Sequence, residues 1–195
     1  MNGNSQQQRA FTLIEILIVV AIMGVVAALI IPQLSPSINE QIRSSAHILV
    51  SDLDYARSLA ISEGSTYKVE FDATENRYIL THSGTNTDLD ALPSAPFRNP
   101  NDPDDQHITD YDDLPHIGPV ARIVGAYTQG SSITVVDSVE FGSFGQTLAQ
   151  TETFIWLSCS SGLDSKYVAI KINPITGIAS VEDVTTIEPS ALRVD

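Results

Sequence analysis

The chain has 195 residues, with 24 acidic against 10 basic side chains and a formal net charge of −14. Such a surface repels polyanions, which excludes nucleic-acid binding through phosphate neutralisation. A single cysteine, Cys159, excludes an intramolecular disulfide, and the length fits one spanning helix plus one globular domain of about 130 residues.

Residues 1–10, MNGNSQQQRA, are polar, free of acids and basic only through Arg9 and the amino terminus. A segment of this kind stays on the cytoplasmic side of a membrane. Residues 11–31, FTLIEILIVVAIMGVVAALII, form an apolar run with one ionisable side chain, Glu15. Its length matches the roughly 20 residues that a spanning helix needs. A carboxylate at the hydrocarbon centre costs roughly 2.5 to 3.5 kcal/mol on insertion scales, and less toward the end of a span. Glu15 therefore needs a partner, and its position inside the apolar core argues against a cleavable secretory signal. A local alternative is a capping box, Thr12-x-x-Glu15, in which the acid only satisfies backbone N–H groups.

Apolar or small residues then recur at Ile38, Ile42, Ala46, Leu49, Leu53, Ala56 and Ala60, one stripe of an amphipathic helix. Gly64 is the expected C-cap, so the helical pattern runs from Phe11 to Glu63, roughly 80 Å. Pro32 and Pro36 each remove a helical hydrogen bond and kink or loosen the rod.

After Gly64 the period becomes two. Tyr67–Phe71 and Arg77–His82 read as a hairpin around the turn Asp72–Asn76. Further strands are expected at Val120–Val124, Ile133–Phe141, Thr153–Cys159, Lys166–Ile172 and Ile178–Glu182, the last two flanking the turn Asn173-Pro174-Ile175-Thr176-Gly177. Strands gathered after one helix imply an α+β domain. Cys159 lies in an alternating run, as a small core residue does.

Between these strands, residues 83–119 hold eight aspartates and six prolines with almost no apolar periodicity. The expectation is an acidic surface loop. Asp102, Asp104, Asp105, Asp110, Asp112 and Asp113 offer oxygen ligands of the kind calcium takes. Their spacing fits no EF-hand, and blocks of like charge ordinarily stay solvated. His107 and His116 lack a matched third ligand for zinc. Paired aspartates suit acid–base chemistry, but the chain has no G-x-S-x-G elbow, P-loop, G-x-G-x-x-G or H-E-x-x-H. Residues 181–195 contain four acids and one base, Arg193, which again excludes nucleic acid. The reading is an interaction protein, not an enzyme, with no catalytic residue, metal site or cofactor.

Ala10 followed by Phe11-Thr12-Leu13-Ile14-Glu15 resembles the processing site of type IV prepilins and type II secretion pseudopilins. The resemblance implies cleavage between Ala10 and Phe11 by a membrane aspartic protease and N-methylation of Phe11. It makes Glu15 the charge partner of a methylated amino group, usually on a neighbouring subunit. Ala10 stands where the family normally has Gly. Leu53–Ile61 resembles the helix end of H-type minor pseudopilins and their fimbrial relatives, Val139–Gly145 their Phe-x-x-x-Gly strand and turn, and Asn173–Ala179 their closing hairpin. Ser83–Pro119 has no counterpart.

The resemblance implies a leader peptide at 1–10, a transmembrane N-terminal helix at 11–35, an amphipathic helix packed on the head at 36–64, and a β-rich head at 65–195 with an acidic insertion at 83–119. The fold expected is α+β, a long, partly transmembrane helix packed on an antiparallel sheet. The function implied is that of a minor pseudopilin supporting protein export across the outer membrane. A minor pilin of a type IV pilus and a membrane-anchored ligand-binding domain are the alternatives. Its expected partners are other pseudopilins or pilins, the prepilin peptidase and methyltransferase, and the inner membrane, with the head in the periplasm. Glu15 argues against the tip subunit of K type, which characteristically lacks the carboxylate.

Overall fold

The computed structural model describes residues 11–30, 37–93, 101–114, 121–162 and 164–192. They fall into two compact units, Met1–Pro36 and Ser37–Asp195. Ala10, Pro32, Pro36, His116 and Val120 lie outside the described residues, as does any helical continuity across 31–36.

In the first unit, α1 spans Leu13–Ile30, and side chains are described as far as Val26. Leucine, isoleucine, valine and alanine occupy every side of it, so no polar face exists to turn toward water. Among the described residues its large apolar side chains are exposed, from 83% at Leu13 to 47% at Val26.

The second unit begins with α2, Ile38–Glu63. Ser37 caps it: Glu40 N–H donates to Ser37 Oγ at 3.3 Å and Ser37 N–H donates to Glu40 Oε2 at 2.7 Å. At the other end Gly64 takes φ +59° and its N–H donates to Ala60 O, the left-handed conformation that favours glycine. Every residue of the expected stripe from Ile42 to Ala60 is fully buried, and Ile38 packs on its margin.

Two antiparallel sheets receive this face. The first has the order β3-β2-β1-β6, built from β1 (Tyr67–Asp72), β2 (Arg77–His82), β3 (Gln106–Asp110) and β6 (Ser138–Phe141). The second has the order β5-β4-β7-β8-β9, built from β4 (Ala121–Gln129), β5 (Ile133–Val136), β7 (Glu152–Ser161), β8 (Asp164–Ile172) and β9 (Ala179–Val181). Val69, Phe141, Ile155, Leu157, Ile170 and Ile172 meet Leu49 and Leu53 of α2 in one core, with Cys159 fully buried beside them. The fold is α+β, as the order of patterns implies.

Three departures from the sequence reading have physical causes. The expected strand Ile133–Phe141 is two strands: β5 pairs with β4 and β6 pairs with β1, the chain changing sheets at Asp137, whose carbonyl accepts from Phe71 N–H at 2.7 Å. Strand β4 runs past Val124 to Gln129 because a bulge between Ile123 and Gly125, with Gly125 at φ +146°, absorbs a register shift. The acidic stretch is no simple surface loop. It contributes β3 to the sheet edge and buries Leu92 and Tyr111, whose hydroxyl donates to Ser45 O at 2.9 Å.

Buried polar groups tie these layers. Asn76, at φ +52° in the β1–β2 turn and 1% exposed, donates from Nδ2 to Asp112 Oδ1 at 2.8 Å and to Ala121 O at 2.9 Å. Its Oδ1 accepts from Ile123 N–H at 3.0 Å. On the opposite flank Asp52 Oδ2 accepts from Tyr78 Oη at 2.6 Å and Thr109 Oγ1 at 3.0 Å. Each interaction satisfies a group that burial would otherwise leave unpaired.

Candidate functional site

At the start of α1, Glu15 N–H donates to Thr12 Oγ1 at 3.3 Å and to Thr12 O at 3.1 Å, and Ile16 N–H donates to Thr12 O at 3.3 Å. Thr12 therefore caps the helix, which is half of the expected box. The return bond is missing: among the described residues nothing donates to the Glu15 carboxylate. In α2 the same hydroxyl-x-x-Glu spacing closes in both directions, and the backbone and hydroxyl of Ser37 hold the Glu40 carboxyl below the usual carboxylate range. Glu15 keeps its acceptors free on an exposed turn whose other side chains include Phe11, 77% exposed, and Leu13. A carboxylate so placed attracts a cation strongly once water is displaced around it. Among the described residues no helix is long and apolar enough to cross a membrane.

The three head segments that carry the resemblance come together at Arg57 on α2. Its Nε donates to Thr176 O at 2.7 Å and to Gly145 O at 3.3 Å. Thr147 N–H donates to Pro174 O at 3.0 Å, so the β6–β7 loop and the β8–β9 turn are bonded to each other as well as to the helix. Both loops require glycine here. Gly145 has φ +81° and Gly177 φ +64°, and a Cβ on Gly177 would collide with Gly145 O. Asn173 shapes the turn by accepting at Oδ1 from Ile175 N–H at 2.9 Å and Thr176 N–H at 3.1 Å. The clamp presents Phe144 and Ile175 at the loop tips, 88% and 81% exposed.

Among the described residues of the acidic stretch no group of three or more His, Cys, Asp or Glu side chains that could hold a metal ion occurs. Its acids serve the fold instead, Asp110 Oδ1 accepting from Asp112 N–H at 2.8 Å and Asp112 binding Asn76. His107 is buried on β3 with its ring edge-on to Tyr55 at 6.2 Å. Cys159 is buried, its thiol pKa raised by desolvation, so it is a packing residue and not a nucleophile.

One constellation was not foreseen. Ser65 Oγ lies 2.7 Å from His82 Nε2, and His82 Nδ1 lies 2.8 Å from Asp90 Oδ1. The hairpin register Tyr67↔His82 was the available signal, since it brings the residues just before β1 against the end of β2.

Comparison with known proteins bears on the N-terminal segment first. Residues 5–31 match the family described as the prokaryotic N-terminal methylation motif. The chain is 36% identical over 95 residues to the type II secretion system core protein G of Klebsiella pneumoniae, an overlap of 49% of this chain and 57% of that protein. It thus spans little more than half the length of that relative. Similar solved structures include the type IV minor pilin FimU of Pseudomonas aeruginosa, at 16% identity and a TM-score of 0.42 over 72% of this chain and 92% of that one. Another is the minor pseudopilin EpsH from the type 2 secretion system of Vibrio cholerae, at 12% identity and a TM-score of 0.46 over 73% and 96%. The chain thus carries this methylation motif at residues 5–31 and is similar, over about half its length, to a type II secretion system core protein.

Proposed function

We propose that the chain is a minor pseudopilin of a type II secretion pseudopilus, processed between Ala10 and Phe11, N-methylated on Phe11 and held in the inner membrane by residues 11–35 with its head in the periplasm. The observation that carries this reading is Glu15, a carboxylate with no described partner on a helix that is apolar on every side. Pairing with the methylated amine of a neighbouring subunit offsets the cost of burying both charges, and packing against neighbouring helices covers the apolar surface. In this reading Phe11 and Glu15 set the docking register, and the head offers its surface to other subunits or to cargo.

The same features serve a minor pilin of a type IV pilus. The pseudopilin is favoured by the 36% identity over 95 residues to a type II secretion system core protein, since the three segments that meet around Arg57 resemble H-type minor pseudopilins and their fimbrial relatives alike.

Mass spectrometry of the N-terminal peptide from native membranes tests the processing step. The expected peptide starts at N-methylated Phe11. An uncut Met1 start, or a cut near Ala28, removes the filament reading.

A further inference from the structure

The chain Ser65–His82–Asp90 has the chemistry of an activated serine. A carboxylate only accepts, so His82 carries its proton on Nδ1 and turns the Nε2 lone pair to Ser65, whose hydroxyl donates along the 2.7 Å contact. Nucleophile to base and base to orienting acid are both at hydrogen-bond distance and in the order that serine hydrolases use. The imidazole is wholly shielded from water while Asp90 is 49% exposed and Ser65 is partly open. Tyr67 packs edge-on against the ring at 5.1 Å and fixes its plane.

Gly84 gives the site its shape. A Cβ there would collide with Ser65 Oγ and lie 2.7 Å from His82 Nε2, so any side chain would fill the space beside the hydroxyl. Thr66, which follows the serine, and Gly84 each keep a backbone N–H that no described backbone carbonyl accepts.

We propose that Ser65 is a nucleophile toward small activated carboxylic esters, an activity additional to assembly. Oγ attacks the carbonyl carbon while its proton passes to His82 Nε2. The alkoxy C–O bond breaks and the alcohol leaves with that proton. Water entering the space the alcohol vacates, deprotonated by the same nitrogen, then cleaves the acyl-serine to a carboxylic acid and restores the hydroxyl. Asp90 is a positioning residue that acts through His82.

The test is a small alkyl fluorophosphonate applied to the full chain in detergent, followed by peptide mapping. The probe forms an Oγ–P bond and releases fluoride, so one adduct on Ser65 is expected, absent in Ser65→Ala and at least tenfold slower in His82→Gln. Gly84→Ala, whose backbone angle suits alanine, should also lose it. Asp90→Asn should slow labelling and Asp90→Glu should restore it, whereas an acid with no part in positioning His82 would leave the labelling rate in place. No adduct on Ser65 in the native chain, or equal labelling in His82→Gln, overturns the proposal whatever the stability of the variants.

Discussion

Helices α1 and α2 open with the same local instruction, a hydroxyl residue followed three positions later by glutamate, and the two glutamates meet different fates. In α2 the Ser37–Glu40 box closes on itself, and the apolar residues fall in one stripe that the sheets cover completely. In α1 only the Thr12 half forms, and the apolar residues have no covering among the described residues. Capping is sufficient where a helix has a packed face to belong to. Where a helix is apolar all round, the same carboxylate is left available, and its satisfaction has to come from outside the chain.

The contrast is broken most severely at Glu15. Glu15→Ala is expected to abolish incorporation into filaments, scored by crosslinking and sedimentation from membranes. The unfolding midpoint of the head should stay unchanged, because Glu15 belongs to the other compact unit. Incorporation at the native level would mean that α1 associates through apolar packing alone.

Core truncation inverts the pattern. Leu53 is fully buried in α2 and Leu17 is 60% exposed in α1. Leu53→Ala should destabilise the head by about 2–5 kcal/mol through lost contacts and a residual cavity. Leu17→Ala should leave its thermal unfolding within about 0.5 kcal/mol. Equal effects on the head would show that α1 contributes to the stability of Ser37–Asp195.

How far the sequence anticipates this division depends on whether a pattern is local. The α2 stripe, the β1–β2 hairpin and the Asn173–Gly177 turn were legible because their spacing or turn chemistry acts within a few residues. The change of sheet at Asp137 was not, since alternation continues through Val135, Val139 and Phe141 although only the last two are buried. Strand β3 was hidden because, of its five residues, His107 alone is buried, leaving no apolar alternation to see. At the N-terminal site the Thr12 cap was legible, but whether Thr12–Glu15 would close was not. Backbone spacing is identical in both boxes, and only coordinates distinguish the carboxylate that bends back from the one that does not.

The acidic insertion offers a smaller and pH-dependent way to sharpen the comparison. Burial pushes the Tyr78 and Tyr111 phenols well above their ordinary range, with the Asp52 carboxylate adding to both and the Tyr111 ring to Tyr78. A phenol whose folded pKa is raised contributes stability that is fully present below its unfolded value of about 10 and is lost as pH climbs above it. Urea unfolding of the head should therefore weaken between about pH 10 and 12. Tyr111→Phe should cost about 1–2 kcal/mol at neutral pH, from the bond lost to Ser45 O, and flatten the alkaline decline. An unchanged decline would assign it to another group.

The smallest effect tests the closed box directly. Ser37→Ala removes the acceptor for Glu40 N–H and should destabilise α2 by about 1 kcal/mol at pH 7. Because capping holds the Glu40 pKa below its ordinary value, the contribution of its charged form is present above the unfolded pKa of about 4.3 and is lost as pH falls through the lower, folded value. The difference between native and Glu40→Gln stability should thus shrink on acidification into that range, and Ser37→Ala should remove most of it at every pH. Thr12→Ala makes the counterpart in α1. Since the Glu15 carboxylate takes no part in that cap, Thr12→Ala should leave Glu15-dependent assembly intact, and a loss of assembly equal to that of Glu15→Ala would show that the half-closed box orients the carboxylate after all.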